Sequence, residues 1–185
     1  MSAPVPSFRR ALPRLVAGAV LSLVGASALQ AQVGGIALGA QAPHAMVETL
    51  DGRTVDIASY YTAGKPIVVE FWATWCPLCK RLEPAMQAAR TRYAGQVTFV
   101  SVGVSANQSP ERQRAHAAAN GMTGEFVFDR NDEAVKAFTA LHTSYVVVID
   151  AKGTVVYTGM GDSQDLDAAV RKGLATVGAG APPAP

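Results

Sequence analysis

Two thiols three residues apart, Cys76 and Cys79, are the only cysteines in a chain of 185 residues. They are too few for a disulfide scaffold and too few for an all-cysteine zinc site. A C-x-x-C pair can cycle between dithiol and disulfide, supply half of a metal site, or offer one thiol as a nucleophile. The metal reading lacks its second half, because His44, His116 and His142 show no ligand spacing. The local sequence suits redox chemistry. Trp75-Cys76-Pro77-Leu78-Cys79-Lys80 follows an apolar run and opens a long helical stretch. Cys76 then falls at the helix cap and Pro77 at the first helical position. Unpaired N–H groups and the positive end of the helix dipole stabilise a thiolate there. Cys76 is expected to be the exposed nucleophile. Cys79, one turn further in, is expected to be the shielded thiol that resolves a mixed disulfide.

Alternating strand and helix patterns must position that pair. Ala45–Leu50 and Arg53–Ile57 flank Asp51-Gly52, a hairpin signal because both central residues of the tight turn need positive φ. Ile67–Phe71 is nearly continuously apolar, as in a strand buried on both faces. A helix follows from about Cys76 to Tyr93, with Leu82, Met86 and Ala89 on one face and Pro84 as an internal break. Gln96–Val104 reads as a second buried strand. Ser109-Pro110-Glu111 opens a helix that Asn120-Gly121 closes. Phe126–Phe128 and Asp132–Phe138 suggest a short strand and a short helix. Tyr145–Ile149 and Thr154–Tyr157 form a hairpin around Asp150-Ala151-Lys152-Gly153, and Asp162 or Ser163 caps a last helix reaching about Thr176. The order predicts an α/β sandwich.

The charge balance separates the chain's start from its body. Arg9, Arg10 and Arg14 fall within the first 31 residues, which hold no acid and an uncharged run from Leu15 to Leu29. The rest carries 13 basic against 14 acidic residues, which gives no electrostatic reason to expect a nucleic-acid partner. Residues 1–31 read as a signal peptide, with Ala26-Ser27-Ala28 or Leu29-Gln30-Ala31 before the cut, or else as an uncleaved N-terminal membrane anchor. No cysteine lies near residues 26–34, which excludes a bacterial lipoprotein anchor. Either way the expected location is extracytoplasmic: periplasmic or secreted, or anchored to the inner membrane. Residues 32–43 are Gly- and Ala-rich and read as a linker, 44–177 as the domain, and 178–185 as a disordered tail of Gly, Ala and Pro.

The contiguous string Val68-Val69-Glu70-Phe71-Trp72-Ala73-Thr74-Trp75-Cys76-Pro77-Leu78-Cys79 resembles the active-site strand and turn of the thioredoxin superfamily. It is most similar to the exported TlpA/ResA-like thiol–disulfide oxidoreductases. Ala42-Pro43, Asp51-Gly52, Gly64-Lys65-Pro66 and Pro84 extend the likeness over roughly residues 40–176. The resemblance implies a thioredoxin-like α/β/α sandwich with an N-terminal β-hairpin and a central helix–strand insertion over 105–140. It implies a protein-disulfide reductase that needs no cofactor, acting on exported proteins and re-reduced by a membrane thiol donor. Apocytochrome c disulfides are one substrate class in that branch.

Glu70 matches the family's buried acid beneath the dithiol. If buried in its apolar strand, it would have a raised pKa and could take the proton of Cys79. Trp75 and Pro77 match the surface presented to substrates. One departure concerns the loop opposite, where the family places a cis-proline. Here Leu141-His142-Thr143-Ser144-Tyr145 holds none. Ser144 takes that position with Thr143 before it, and both are candidate substrate-binding residues. A non-proline cis bond costs about 2.5–4 kcal/mol, so a trans peptide is expected.

Two other functions compete. A thiol peroxidase would share the fold, but its P-x-x-x-T-x-x-C pattern meets Val69 and Ala73 here. A copper-binding or assembly factor would use the dithiol with a third ligand, for which only His142 is placed. The leucine between the cysteines has no donor to add to the thiolate, which leans the pair towards reduction.

Overall fold

The computed structural model describes Met1, residues 34–61 and residues 64–177. The signal or anchor segment and the 178–185 tail lie outside the described residues. Among the described residues, every strand and helix belongs to the unit that begins at Gln32.

Seven strands form one sheet in the order β2-β1-β5-β4-β3-β6-β7. They are β1 (Met46–Thr49), β2 (Thr54–Asp56), β3 (Ile67–Trp72), β4 (Thr98–Val104), β5 (Glu125–Asp129), β6 (Tyr145–Ile149) and β7 (Val155–Met160). β3 lies parallel to β4 and antiparallel to β6, and every one of its residues is buried. The helices are α1 (Pro77–Arg92), α2 (Pro110–Ala119), α3 (Glu133–Ala137) and α4 (Leu166–Leu174). Alternation along β3 sends Val68 to one face and Val69 and Phe71 to the other. Val68 joins Leu82, Met86 and Ala89 of α1 and Leu166, Ala169 and Val170 of α4. Val69 and Phe71 join Val102, Val127, Val147, Ala134 of α3 and Phe138. This is the α/β/α sandwich the sequence implies.

The inserted α2 and β5 have structural work of their own. β5 carries the N-terminal hairpin by pairing with β1. α2 leans on β4 through the fully buried Gln113, whose amide donates to the Val127 carbonyl at 3.2 Å. A Cβ at Gly103 would stand 2.2 Å from the Gln113 side-chain oxygen, so this close approach needs glycine.

Three boundaries differ from the sequence reading. Residues 34–43 are not an open linker: Gly39 N–H donates to Val155 O and Ala42 N–H to Gly153 O, each at 2.8 Å. Ile36 N–H donates to the Tyr145 hydroxyl at 3.0 Å. Composition suggested a linker, but its backbone groups are satisfied by pairing along the β7 end of the sheet. α4 is capped by Asp165, whose carboxylate accepts from Ala168 N–H, rather than by Asp162 or Ser163. Asp162 instead pairs with Arg81 of α1. Finally, α1 runs through Pro84 as one element.

Candidate active site

Cys76 caps α1 with extended backbone (φ −78°, ψ 113°) and Pro77 follows at the first turn. The two cysteines are joined as a disulfide with Cα atoms 5.3 Å apart. The Cys76 Sγ accepts the Cys79 N–H at 3.0 Å, and the Thr143 hydroxyl donates to it from the opposite loop at 3.3 Å. Both donors favour a thiolate on Cys76 over one on Cys79. Exposure does not divide the pair as expected. Cys76 is 2% exposed and Cys79 5%, because Thr143 and the flanking turn cover the leading sulfur. Pro77 and Leu78 stand exposed beside it.

Trp75 is 42% exposed, and its indole N–H donates to the Ala106 carbonyl at 2.7 Å. It walls a groove of about 490 Å³ with Ala106, Leu141, His142 and Thr143. Thr143 links that groove to the dithiol through its hydrogen bond to the Cys76 Sγ. His142 is exposed, and among the described residues no three His, Cys, Asp or Glu side chains gather into a metal-binding group.

Ser144 requires a correction. It is fully buried with φ +61°, and no peptide bond among the described residues is cis. Its N–H donates to Phe71 O at 2.8 Å, its hydroxyl to Gly161 O at 3.0 Å, and its carbonyl accepts from Gly161 N–H at 3.0 Å. With donors and carbonyl engaged inside the fold, Ser144 has nothing to offer a substrate. It is a brace between β3 and the loop after β7. Thr143, half-buried and without a backbone partner among the described residues, is the member of the pair that faces outward.

On the Cys79 side lies a cavity of about 540 Å³ between α1 and α2. Glu70, Trp72, Cys79, Lys80, Glu83 and His116 are among its lining. Glu70 is 1% exposed, and burial pushes its carboxyl up to about 7, against a downward pull from Arg90 and an upward push from Glu83. Burial lowers the pKa of His116, with Lys80 and Arg112 adding to it. Its ring centre stands 5.7 Å from that of Trp72.

Two residues of the site escape sequence reasoning. The Gln108 side chain accepts Thr74 N–H at 2.9 Å and donates to Val104 O at 2.7 Å and Trp72 O at 3.3 Å, clamping the ends of β3 and β4. A lone glutamine in a loop carries no pattern that announces this. Arg90 is buried beside Glu70. Its spacing was readable, since it lies one turn beyond Met86 on the apolar stripe of α1.

The comparisons agree with this geometry. The model of the AhpC/TSA family matches residues 38–158. Thioredoxin-like protein YneN of Bacillus subtilis (strain 168) is 29% identical over 123 residues, covering 65% of this chain and 70% of the relative. Thiol-disulfide oxidoreductase ResA of Geobacillus thermodenitrificans (strain NG80-2) is 27% identical over 133 residues, covering 71% and 75%. The crystal structure of a thiol:disulfide interchange protein of the thioredoxin family from Chlorobium tepidum TLS superposes with TM-score 0.59 and 27% identity. It covers 75% of this chain and 99% of that one. The family match takes in the β3 strand, the dithiol turn and the loop opposite, and with them the chain belongs to the AhpC/TSA family as a TlpA/ResA-like member of the thioredoxin superfamily.

Proposed function

We propose that this chain is an extracytoplasmic thiol–disulfide oxidoreductase that reduces disulfides of exported proteins, apocytochromes c among the candidate substrates. The observation that carries the reading is the pair of donors on the Cys76 Sγ, which supports that sulfur as the attacking one. In the dithiol form the Cys76 thiolate attacks a substrate disulfide. The substrate S–S bond breaks, one substrate sulfur leaves as thiolate and a mixed disulfide forms. Cys79 then gives its proton to the Glu70 carboxylate, and its sulfur attacks the Cys76 Sγ. The mixed disulfide breaks, the substrate departs as a dithiol, and the Cys76–Cys79 disulfide remains. Two electrons have passed to the substrate, so a dithiol donor, a membrane protein in this reading, must restore the pair.

Thr143 and Trp75 line the groove from which, in this reading, substrate approaches, and Pro77 stands exposed beside the dithiol. The direction follows from the donor count. Two neutral donors and a helix end, with no charged donor from Leu78, favour the reducing direction in this reading. Trapping tests the roles. Cys79→Ala should accumulate a mixed disulfide with its substrate, while Cys76→Ala should not; equal trapping by Cys76→Ala overturns the assignment. Mass spectrometry of the aerobically purified protein should give the disulfide, and a stable sulfenic acid or a bound copper ion would favour a peroxidase or a copper carrier instead.

A further inference from the structure

Behind the dithiol, one guanidinium serves two carboxylates. Arg90 is the only buried Lys or Arg among the described residues. Its Nη1 donates to Glu83 Oε1 at 2.7 Å, and its Nη2 donates to the Ser101 hydroxyl at 2.9 Å. The same Nη2 stands 3.5 Å from Glu70 Oε2, an ion pair without a hydrogen bond, and that carboxylate oxygen has no other partner. Glu83 holds the shorter contact and keeps 21% of its side chain exposed at the cavity wall, whereas Glu70 keeps 1%. Two carboxylates against one cation leave a net negative charge in a buried place, and a proton on one acid removes it. Burial pushes both carboxyls up, but Glu83 keeps more solvent and the shorter contact with Arg90, so the proton favours Glu70.

We infer that Arg90 is a positioning residue for the proton-transfer step, and that Glu83, by competing for its guanidinium, sets how readily Glu70 accepts and releases the Cys79 proton. The inference rests on the reading of Glu70 as proton acceptor. The groups facing Glu70 are Cys79, Lys80, Glu83 and Arg90 from α1, Ser101 from β4 and His116 from α2, while Val146 of β6 opposite is apolar. The proton passes from the Cys79 thiol to the Glu70 carboxylate, leaving a thiolate. It then leaves to water through the cavity, whose rim includes the exposed Lys80 and Asn120. Arg90 changes no bond; it moves the balance.

The two partners should act with opposite sign, which a merely structural role would not produce. The direct readout is a carboxyl-carbon NMR titration of Glu70 in the full-length disulfide form, with a midpoint near 7 for the wild type. Glu83→Gln frees the guanidinium for Glu70 and removes a like charge, so the midpoint should fall by about one unit. Arg90→Gln should raise it by about 1–3 units, and Arg90→Lys should hold it near wild type. The pH at which the resolving step accelerates should move in the same directions. If Arg90→Gln does not fold, Glu83→Gln decides alone. An unmoved or raised midpoint in Glu83→Gln overturns the inference. Failure of the Glu70 reading looks different: Glu70→Gln would then resolve mixed disulfides at the wild-type rate, whatever the titration of Glu70 shows.

Discussion

The two sulfurs belong to residues only 5.3 Å apart at their Cα atoms, yet they face different surroundings. Cys76 lies beside Trp75 and Thr143, two residues that line a groove, and has a hydroxyl and a backbone N–H aimed at its Sγ. Cys79 backs onto a cavity lined by two acids, the buried Glu70 and Glu83, which pair with the buried Arg90. Neither sulfur is appreciably exposed, so accessibility does not assign their roles. The partners do. In the proposed reading, one side stabilises a thiolate and meets a substrate chain, and the other removes a proton.

The largest effects should come from the sulfurs themselves. Cys76→Ala should reduce disulfide exchange to background in a reductase assay. Cys79→Ala should still attack once and then stall, as a single-turnover measurement reads. Glu70→Gln comes next. If the Cys79 side handles the proton, this variant should slow resolution of a mixed disulfide by on the order of 10²-fold and leave the first attack unchanged. Equal slowing of both steps would break the division between the two sides.

The same carboxyl makes a stability prediction. Its folded-state pKa is raised, about 7 against an ordinary 4.5, so the folded chain holds the proton more tightly than the unfolded one. Stability from this group is present at acid pH and is lost as pH rises from about 4.5 through 7, up to roughly 3 kcal/mol in all. Urea unfolding at pH 5 and pH 8 should show the loss in wild type and a smaller loss in Glu70→Gln. A pH dependence identical in the two proteins would remove the buried acid from the account. Away from the proton, Gln108→Ala strips three backbone groups of a partner. It should cost about 1–3 kcal/mol in urea unfolding, with the thiol titration unmoved.

Most of the fold was legible because its signals are local. The apolar run of β3, the Ser109-Pro110 cap of α2 and the hairpin at Asp51-Gly52 each rest on a few neighbouring residues, although Gly52 alone, and not Asp51, takes the positive φ expected of both. The dithiol was legible for the same reason, since helix capping at Cys76 depends only on Pro77 and the first turn of α1. The failures share a cause too. Gly39–Ala42 look like linker because their composition is weak, yet they are ordered by Gly153 and Val155, more than 100 positions away. Ser144 stood where a substrate contact was expected, but its donors meet Phe71 and Gly161. Whether a polar group is spent inside the fold or offered outside depends on partners that spacing does not show. Arg90 lies between these cases: its place on the buried stripe was visible, whereas its two acids meet only when α1 lies on β3.

The smallest effect probes the Cys76 side alone. Thr143→Val keeps the side chain's shape and removes the hydroxyl that donates to the Cys76 Sγ. The Cys79 N–H and the helix end remain, so the thiolate loses one of its donors rather than its environment. A single such hydrogen bond contributes about 0.5–1.5 kcal/mol, which corresponds to a rise of at most about one unit in the Cys76 pKa. Alkylation of the reduced protein followed against pH reads that shift directly, with Cys79→Ala as background so that only one thiol reports. Because Thr143 does not line the cavity, the Glu70 midpoint should stay in place while the thiol titration moves. If both moved together, the two sides of the dithiol would be one coupled site, and the contrast between them would have to be given up.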